Sequence, residues 1–260
     1  MVIIGTAAAA AGRRIDVPIQ GGHIAGKTDW LESGKDASLS PTVFLVDLPP
    51  NSVLDVHFHR ENQFQLFVKG EGSIGPHAIR PLTVHYAGAY TGYGPLAAGS
   101  EGVSYFTIRP VYDIGAFYLP NARSDMVRGP KRNMHSEPIA PLGRAALRAL
   151  KTPEIVDLIP LQADGVAARL LRLPPDATLV DLEPAGSGGQ FVIVLAGSIV
   201  HDGRELRELD MLFLSADEPA FPIKAQTEGV EVALLQVAVK AEAYVGHGWS
   251  DAIEKGRKDL

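Results

Sequence analysis

The sequence predicts an all-β protein built from two copies of one fold that a short helical segment joins. The first supporting observation is an alternation of apolar and polar residues with a period of two, which is typical of β-strands. The second is an internal repeat: segment 63–70 begins with glutamine and ends with glycine after six intervening residues, and segment 190–197 does the same. Such repetition indicates duplicated domains. The third is a helical spacing of apolar residues between the copies, which predicts the connecting helix.

The composition narrows the class of protein. A chain of 260 residues accommodates two domains of ordinary size, and 46% hydrophobic with 21% charged residues is typical of soluble globular proteins. The formal net charge of -6 argues against a nucleic-acid partner, because binding to phosphates requires basic clusters. The sequence contains no cysteine, which excludes disulfides and thiolate metal sites. Any metal ion must therefore be bound by nitrogen and oxygen donors.

Residues 1–40 are expected to form an N-terminal arm. The arm begins with apolar and small residues, but no basic segment precedes them as it does in a secretory signal. No stretch of the chain has the uninterrupted apolar length of a membrane-spanning helix. We therefore expect a cytoplasmic protein without a membrane partner.

Residues 41–122 are expected to form the first copy. On its first predicted strand, the face that carries His57 and His59 is polar, whereas the opposite face is apolar. After a turn, glutamines continue this pattern on the next strand. We expect the face with histidines and glutamines to line a cavity, and the apolar face to pack against another layer.

Two histidines, a glutamine and a glycine have a spacing that resembles the first motif of the cupin family: His57, His59, Gln63 and Gly70. That motif reads Gly, five residues, His-x-His, three or four residues, Glu, six residues, Gly. The chain departs from it at Asn51, in place of the opening glycine, and at Gln63, in place of the glutamate. The resemblance and the internal repeat together imply a bicupin, with two tandem β-barrels of the jelly-roll type.

The family resemblance implies one divalent metal ion in the first barrel, bound by His57 and His59, with Gln63 either as a further ligand or as a hydrogen-bond donor beside the ion. The second motif of the family normally supplies a third histidine, but Thr91 occupies that position here. Three nearby residues are candidates for the missing ligand: His85, which we favour, His77 and Glu61. Imidazole and oxygen donors suit Fe(II), which we favour, as well as Zn, Ni or Mn.

Residues 161–240 are expected to form the second barrel, with Gln190 in the position of Gln63. This copy has Pro184 and Gly186 where the first copy has its histidines. Because it lacks those ligands, the second barrel cannot hold the same ion, and we expect a structural role for it.

The segment between the two barrels has a different composition. Residues 123–160 begin with a stretch rich in Arg, Lys, Pro and Asn, and then show apolar residues at helical spacing as far as Ile159, with an interruption at Pro153. We expect a linker with one helix or two short helices packed on a barrel. Residues 241–260 are expected to form a polar, partly helical tail.

The sequence leaves two hypotheses about function. The first is a metal-dependent enzyme that acts on a small organic molecule, and we favour a non-heme dioxygenase because that chemistry needs few protein ligands. Its substrate pocket is expected to include Gln65, Phe67 and Tyr93. The alternative is a non-catalytic small-molecule-binding or structural protein with a degenerate metal site, which Gln63 and Thr91 support. Apolar outer strand faces also predict a homodimer.

Overall fold

The computed structural model describes three stretches of the chain: residues 1–31, 41–181 and 183–247. Part of the predicted N-terminal arm, residues 32–40, lies outside the described residues. So do residues 248–260 of the predicted tail.

The chain forms two compact units, whose limits differ from the simple tandem order that the sequence predicts. The first-barrel unit consists of Arg13–Ile139 and the segment that begins at Lys240. The second-barrel unit consists of Met1–Gly12 and Ala140–Val239. The described residues of the predicted N-terminal arm are therefore divided between the two units, and residues 241–247 of the predicted tail belong to the first-barrel unit.

Antiparallel strands make up most of the described chain, as the alternating sequence predicts. In chain order they are β1 (Val2–Gly5), β2 (Arg14–Pro18), β3 (Ile24–Leu31), β4 (Thr42–Leu48), β5 (Val53–Leu54), β6 (His57–Phe58), β7 (Gln63–Ile74), β8 (His77–Ile79), β9 (Val84–Ala87), β10 (Leu96–Arg109), β11 (Phe117–Tyr118), β12 (Asn133–His135), β13 (Glu154–Ile159), β14 (Ala167–Leu173), β15 (Thr178–Val180), β16 (Gln190–His201), β17 (Arg204–Arg207), β18 (Met211–Leu214) and β19 (Pro222–Gln236).

The helices of the described stretches are short. They are α1 (Ala7–Ala10), α2 (Arg144–Ala149) and three 3₁₀ turns at Gln20–Gly22, Asn121–Asp125 and Glu242–Tyr244. Among the described residues, no helix combines the length and the apolar character that crossing a membrane requires.

The two units repeat one strand order. In the first-barrel unit the main sheet runs β12-β9-β7-β10-β4-β3-β2, with β8 on β7, β5 on β10, and β6 paired with β11 in a small separate sheet. In the second-barrel unit the order is β1-β18-β16-β19-β14-β13, with β17 on β16 and β15 on β19. The predicted duplication is therefore confirmed in topology. The N-terminal strand β1 takes the sheet position in the second unit that β12 takes in the first.

The predicted helical linker is shorter than its apolar spacing suggests. Helix α2 ends at Ala149, and Ile155 and Ile159 lie in strand β13, which pairs antiparallel with β14. Pro153 cannot continue the helix, and the β-branched residues that follow it favour a strand that has a partner. Extending the helical pattern past Pro153 was therefore wrong.

The glycine that closes each repeated segment lies at a close approach of two strands. Gly70 has a φ of +73°, and a Cβ atom on it would lie 2.1 Å from the carbonyl oxygen of Gly102. Gly197 has a φ of +76°, and a Cβ atom there would lie 2.1 Å from the carbonyl oxygen of Gly229. Both the left-handed backbone and the contact with the neighbouring strand require glycine.

The interiors of the two barrels differ in chemistry. In the first, Gln65 on β7 pairs with Thr107 on β10. The matching pair in the second is Val192 and Leu234, which belong to a fully apolar core. Aliphatic side chains thus fill the second barrel where the first carries polar groups, and this difference supports a structural role for the second barrel.

Candidate functional site

A cavity of about 400 Å³ lies within the first-barrel unit. Its polar lining includes His57, His59, Gln65, Tyr93, Thr107 and Arg109. Apolar and aromatic side chains complete the wall, among them Phe44, Val46, Leu54 and Tyr118. A cavity of this size with a few converging polar groups is the usual form of a small-molecule site.

The two histidines of the motif both face this cavity. His57 belongs to β6, and its backbone exchanges two hydrogen bonds with Tyr93, at 3.1 and 2.9 Å. His59 follows β6, and the centroids of the two imidazole rings are 5.3 Å apart. Both residues are buried. The pair therefore reaches inward from one segment, as its alternate spacing predicts.

The hydrogen bonds of His57 determine its tautomer. Its Nδ1 lies 2.7 Å from the carbonyl oxygen of Asp55 and therefore carries the proton. Nε2 is then an acceptor, and it lies 2.8 Å from the hydroxyl of Tyr93. Gln63 Nε2 in turn donates to the Tyr93 hydroxyl oxygen at 2.6 Å. Burial raises the pKa of Tyr93, so its hydroxyl stays protonated and donates to His57.

Arg109, the last residue of β10, brings a cation into the centre of this network. Its Nε and Nη2 both donate to Gln63 Oε1, at 3.1 and 2.9 Å. Nη2 also lies 3.0 Å from Nδ1 and 3.3 Å from Nε2 of His59. The residue is only 2% exposed. A guanidinium therefore lies between the second histidine and the glutamine of the motif.

His59 forms a dyad with Asp113. Its Nδ1 lies 2.8 Å from the carbonyl oxygen of Gly115 and 3.3 Å from Asp113 Oδ2. Burial, reinforced by the charge of Arg109, lowers the pKa of His59 to about 3, so the ring is neutral at physiological pH. Burial alone would raise the pKa of Asp113, but the hydrogen bond with His59 and the charge of Arg109 hold it below its usual value.

Comparisons with known proteins agree with this architecture. No protein-family model and no curated protein matches the sequence. A proposed dioxygenase from Nostoc punctiforme is 13% identical, with 94% of this chain and 85% of that chain covered and a TM-score of 0.59. The nickel(II) complex of the bacterial pirin YhhW from Escherichia coli is 14% identical, with 92% and 99% covered and a TM-score of 0.56. A deletion variant of oxalate decarboxylase from Bacillus subtilis is 11% identical, with 92% and 77% covered and a TM-score of 0.55. The chain has a bicupin fold.

In the first barrel, the predicted metal ligands form hydrogen bonds with other side chains. Among the residues that the structure describes, no three His, Asp or Glu side chains converge so that they could hold one ion. His57 Nε2 accepts a hydrogen bond from Tyr93, and Gln63 Oε1 accepts two from Arg109. The predicted ligand set therefore does not fit a metal, because its donors are engaged and a positive charge lies among them.

The other predicted ligands form contacts of their own. His85 Nδ1 bonds Gln65 Oε1 at 2.7 Å, and the ring of His85 stacks on that of His135 with centroids 4.5 Å apart. His77 stacks on the same ring at 3.8 Å. Glu61 forms a salt bridge of 2.9 Å with Lys240. These contacts give each of the three a role in packing or pairing within the bicupin's first barrel.

The three residues predicted for the substrate pocket have different positions. Gln65 and Tyr93 line the cavity. Phe67 is fully buried and packs on Tyr105, with ring centroids 5.1 Å apart, in the apolar core. The alternation of side chains along the strand predicts Phe67 in the pocket. Its large ring packs in the apolar core instead.

Sequence reasoning missed Arg109 and Asp113, although the duplication of the bicupin carried a signal for the former. Gln63 bonds Arg109 over a separation of 46 residues, and Gln190 bonds Gln236 over the same separation, at 2.6 Å. Extending the repeat alignment by one more strand would have placed an arginine opposite the motif's glutamine. Asp113 lies in a loop and has no counterpart in the repeat.

We expect the stability of the bicupin to fall as the pH drops below about 6.5, the ordinary pKa of histidine. Burial lowers the pKa of His59 and of His85 to about 3. The unfolded chain therefore binds protons that the folded chain does not, and each such histidine costs up to about 1.4 kcal/mol per pH unit in that window. Urea unfolding between about pH 6.5 and 5.5 should show a smaller loss in His85→Asn, which keeps a donor towards Gln65. Equal losses in the variant and the unmodified protein would contradict this assignment.

Proposed function

We propose that the first barrel binds a small organic molecule in its cavity without a resident metal ion. The observation that carries this proposal is the position of the Arg109 guanidinium, 2.9 Å from Gln63 Oε1 and 3.0 Å from His59. The guanidinium supplies a positive charge at the motif, where a cupin with the usual ligands has that of its metal ion. The cavity beside it supplies the volume and the apolar surface that a ligand requires.

Electrostatics disfavours a metal ion beside this arginine. A divalent cation about 4 Å from a guanidinium would be repelled by about 8 kcal/mol at an effective dielectric constant of about 20. Binding would also require the loss of the hydrogen bonds that Gln63 and His57 accept. Leaving the donors of Arg109 and Tyr93 buried and unpaired would add about 1–3 kcal/mol for each.

The alternative is the metal-dependent enzyme, with a dioxygenase as its favoured form. Three neighbours favour it: the proposed Nostoc dioxygenase, the pirin with bound nickel(II), and oxalate decarboxylase with its Mn(II) centres. So does the inward orientation of His57 and His59. In that case Fe(II) would be the first metal to test. The cytoplasmic location and the homodimer also stay predictions from sequence.

Metal analysis of protein purified without a nickel column separates the two proposals. We expect no stoichiometric metal in the unmodified protein, in His57→Ala or in His59→Ala. One equivalent of metal in the unmodified protein, lost in both variants, would overturn the metal-free proposal and support the enzyme.

A further inference from the structure

We propose that the ligand of the first barrel carries a carboxylate group, which Arg109 binds, on an apolar or aromatic body. The inference rests on the proposed metal-free function and names its ligand class. Two features of the cavity carry it: a buried cation without a carboxylate partner, and an unpartnered hydroxyl on the neighbouring strand.

Arg109 is buried among neutral acceptors. Its hydrogen bonds use Nε and Nη2 and go to Gln63 Oε1 and His59 Nε2. Within the described part of the chain, no carboxylate lies at ion-pair distance from its guanidinium, and Nη1 forms no hydrogen bond. The Asp113 carboxylate interacts with Arg109 through space but bonds the His59 ring rather than the guanidinium, so an anion bound in the cavity would give this buried cation a direct partner.

The second barrel shows how this chain otherwise accommodates a buried arginine. Arg172 is 9% exposed, and its Nε donates to Glu231 Oε1 at 2.8 Å. Glu231 is itself buried. The second-barrel unit therefore supplies an internal carboxylate for its arginine, whereas the first-barrel unit leaves that place beside the cavity to a ligand.

The other charged groups that line the cavity form ion pairs or hydrogen bonds within the first-barrel unit. Lys27 Nζ lies 2.6 Å from Asp29 Oδ1, so these two charges offset each other. Asp113 Oδ2 bonds the His59 ring and accepts from the backbone N–H of Arg60 at 3.1 Å, whereas its Oδ1 is buried without a hydrogen-bond partner. Arg109 is thus the lining cation that offers donors to an incoming anion.

A hydroxyl beside Arg109 also lacks a partner. Thr42 on β4 is the cross-strand neighbour of Arg109 on β10. Thr42 lines the cavity and is 5% exposed, and its Oγ1 is buried without a hydrogen-bond partner. A carboxylate held by the Arg109 guanidinium would accept a further bond from this hydroxyl. Such a bond would satisfy a group that is otherwise costly to bury.

The rest of the wall suits an apolar body. Phe44 lies beside Arg109, with the guanidinium carbon 5.6 Å from the ring centroid. Tyr105 and Tyr118 contribute two further rings, and Val46 and Leu54 contribute aliphatic surface. This lining favours aromatic and medium-chain aliphatic acids over sugars or small polyols, which would leave many hydroxyl groups unpaired.

The test compares acids with amides of the same shape. The probes are benzoate and benzamide, phenylacetate and phenylacetamide, and hexanoate and hexanamide, titrated by calorimetry into full-length protein in buffer with EDTA. We expect at least one acid to bind about thirtyfold or more tightly than its amide, and Arg109→Met to abolish that difference. Equal affinity of every acid and its amide, including no binding of either, would overturn the carboxylate assignment. So would an unchanged preference in Arg109→Met.

A second variant keeps the test independent of folding defects. Gln63→Glu has the shape of the original residue and gives Arg109 an internal carboxylate, in the way that Glu231 partners Arg172. We expect it to fold and to lose the preference for acids, and a retained preference would overturn the inference. If acids bind only without EDTA and binding returns with Mn(II), the metal-free function itself fails. If amides bind as well as acids in EDTA, only the ligand class fails.

Discussion

The double variant Arg109→Met, Gln63→Glu is expected to hold a divalent metal ion that the unmodified chain does not hold. The substitution at 109 removes the guanidinium that lies 2.9 Å from Gln63 Oε1, and with it the main electrostatic barrier. The substitution at 63 restores the carboxylate that the cupin motif has at this position. Together with His57 and His59, which line the cavity, it completes a set of two imidazoles and one carboxylate.

Elemental analysis after dialysis against Mn(II) or Ni(II) and then against metal-free buffer measures this effect. We expect close to one ion per chain in the double variant and only traces in the unmodified protein. Each single variant is a control: Arg109→Met lacks the carboxylate, and in Gln63→Glu the new carboxylate pairs with Arg109. A double variant without metal would show that Arg109 does not take the place of an ion. Stoichiometric metal in Gln63→Glu alone would show that the guanidinium is no barrier.

Gly70→Ala is expected to destabilise the first barrel by more than about 3 kcal/mol, at the upper end for a single substitution. The added Cβ atom would lie 2.1 Å from the carbonyl oxygen of Gly102, which is backbone and cannot rotate away. The φ of +73° adds about 1–2 kcal/mol of strain for a residue with a side chain. The strands β7 and β10 would have to separate at the bulge that supports the cavity.

Gly22→Ala is the matched control in the same unit. Gly22 has a φ of +75°, but no atom lies within 4 Å of the position that a Cβ would take. It should therefore show only the backbone strain, about 1–2 kcal/mol. In the second unit, Gly197→Ala and Gly203→Ala form an equivalent pair. Urea unfolding measures all four, and similar losses within each pair would contradict the steric explanation of the motif's closing glycine.

The fold could be predicted from sequence because its signals are local and occur twice. The spacing from Gln63 to Gly70 is repeated from Gln190 to Gly197. Each glycine lies where two paired strands approach closely, at equivalent positions of the two barrels. The helical pattern through Ile155 failed because spacing alone does not distinguish a helix from a strand that finds a partner. The pairing of β1 with β18 could not be predicted from sequence either, because no local pattern indicates which strand a distant segment joins.

The site was predictable only in part, for a similar reason. His57 and His59 lie in one segment, so strand phase was enough to bring both into the cavity. Arg109 comes from the end of a strand 46 residues after Gln63, and nothing in its local sequence indicates that it is buried. That one residue changes the chemistry of the pocket. A cation of the protein itself lies between His59 and Gln63, two of the metal ligands that the family resemblance implies.

The most direct test is a crystal structure of the unmodified protein grown with Mn(II), with data collected for anomalous scattering. We expect no anomalous peak between His57, His59 and Gln63, and density for the Arg109 guanidinium against Gln63 Oε1. An anomalous peak at that place, with Arg109 turned away from it, would contradict the metal-free site and return the first barrel to metal chemistry.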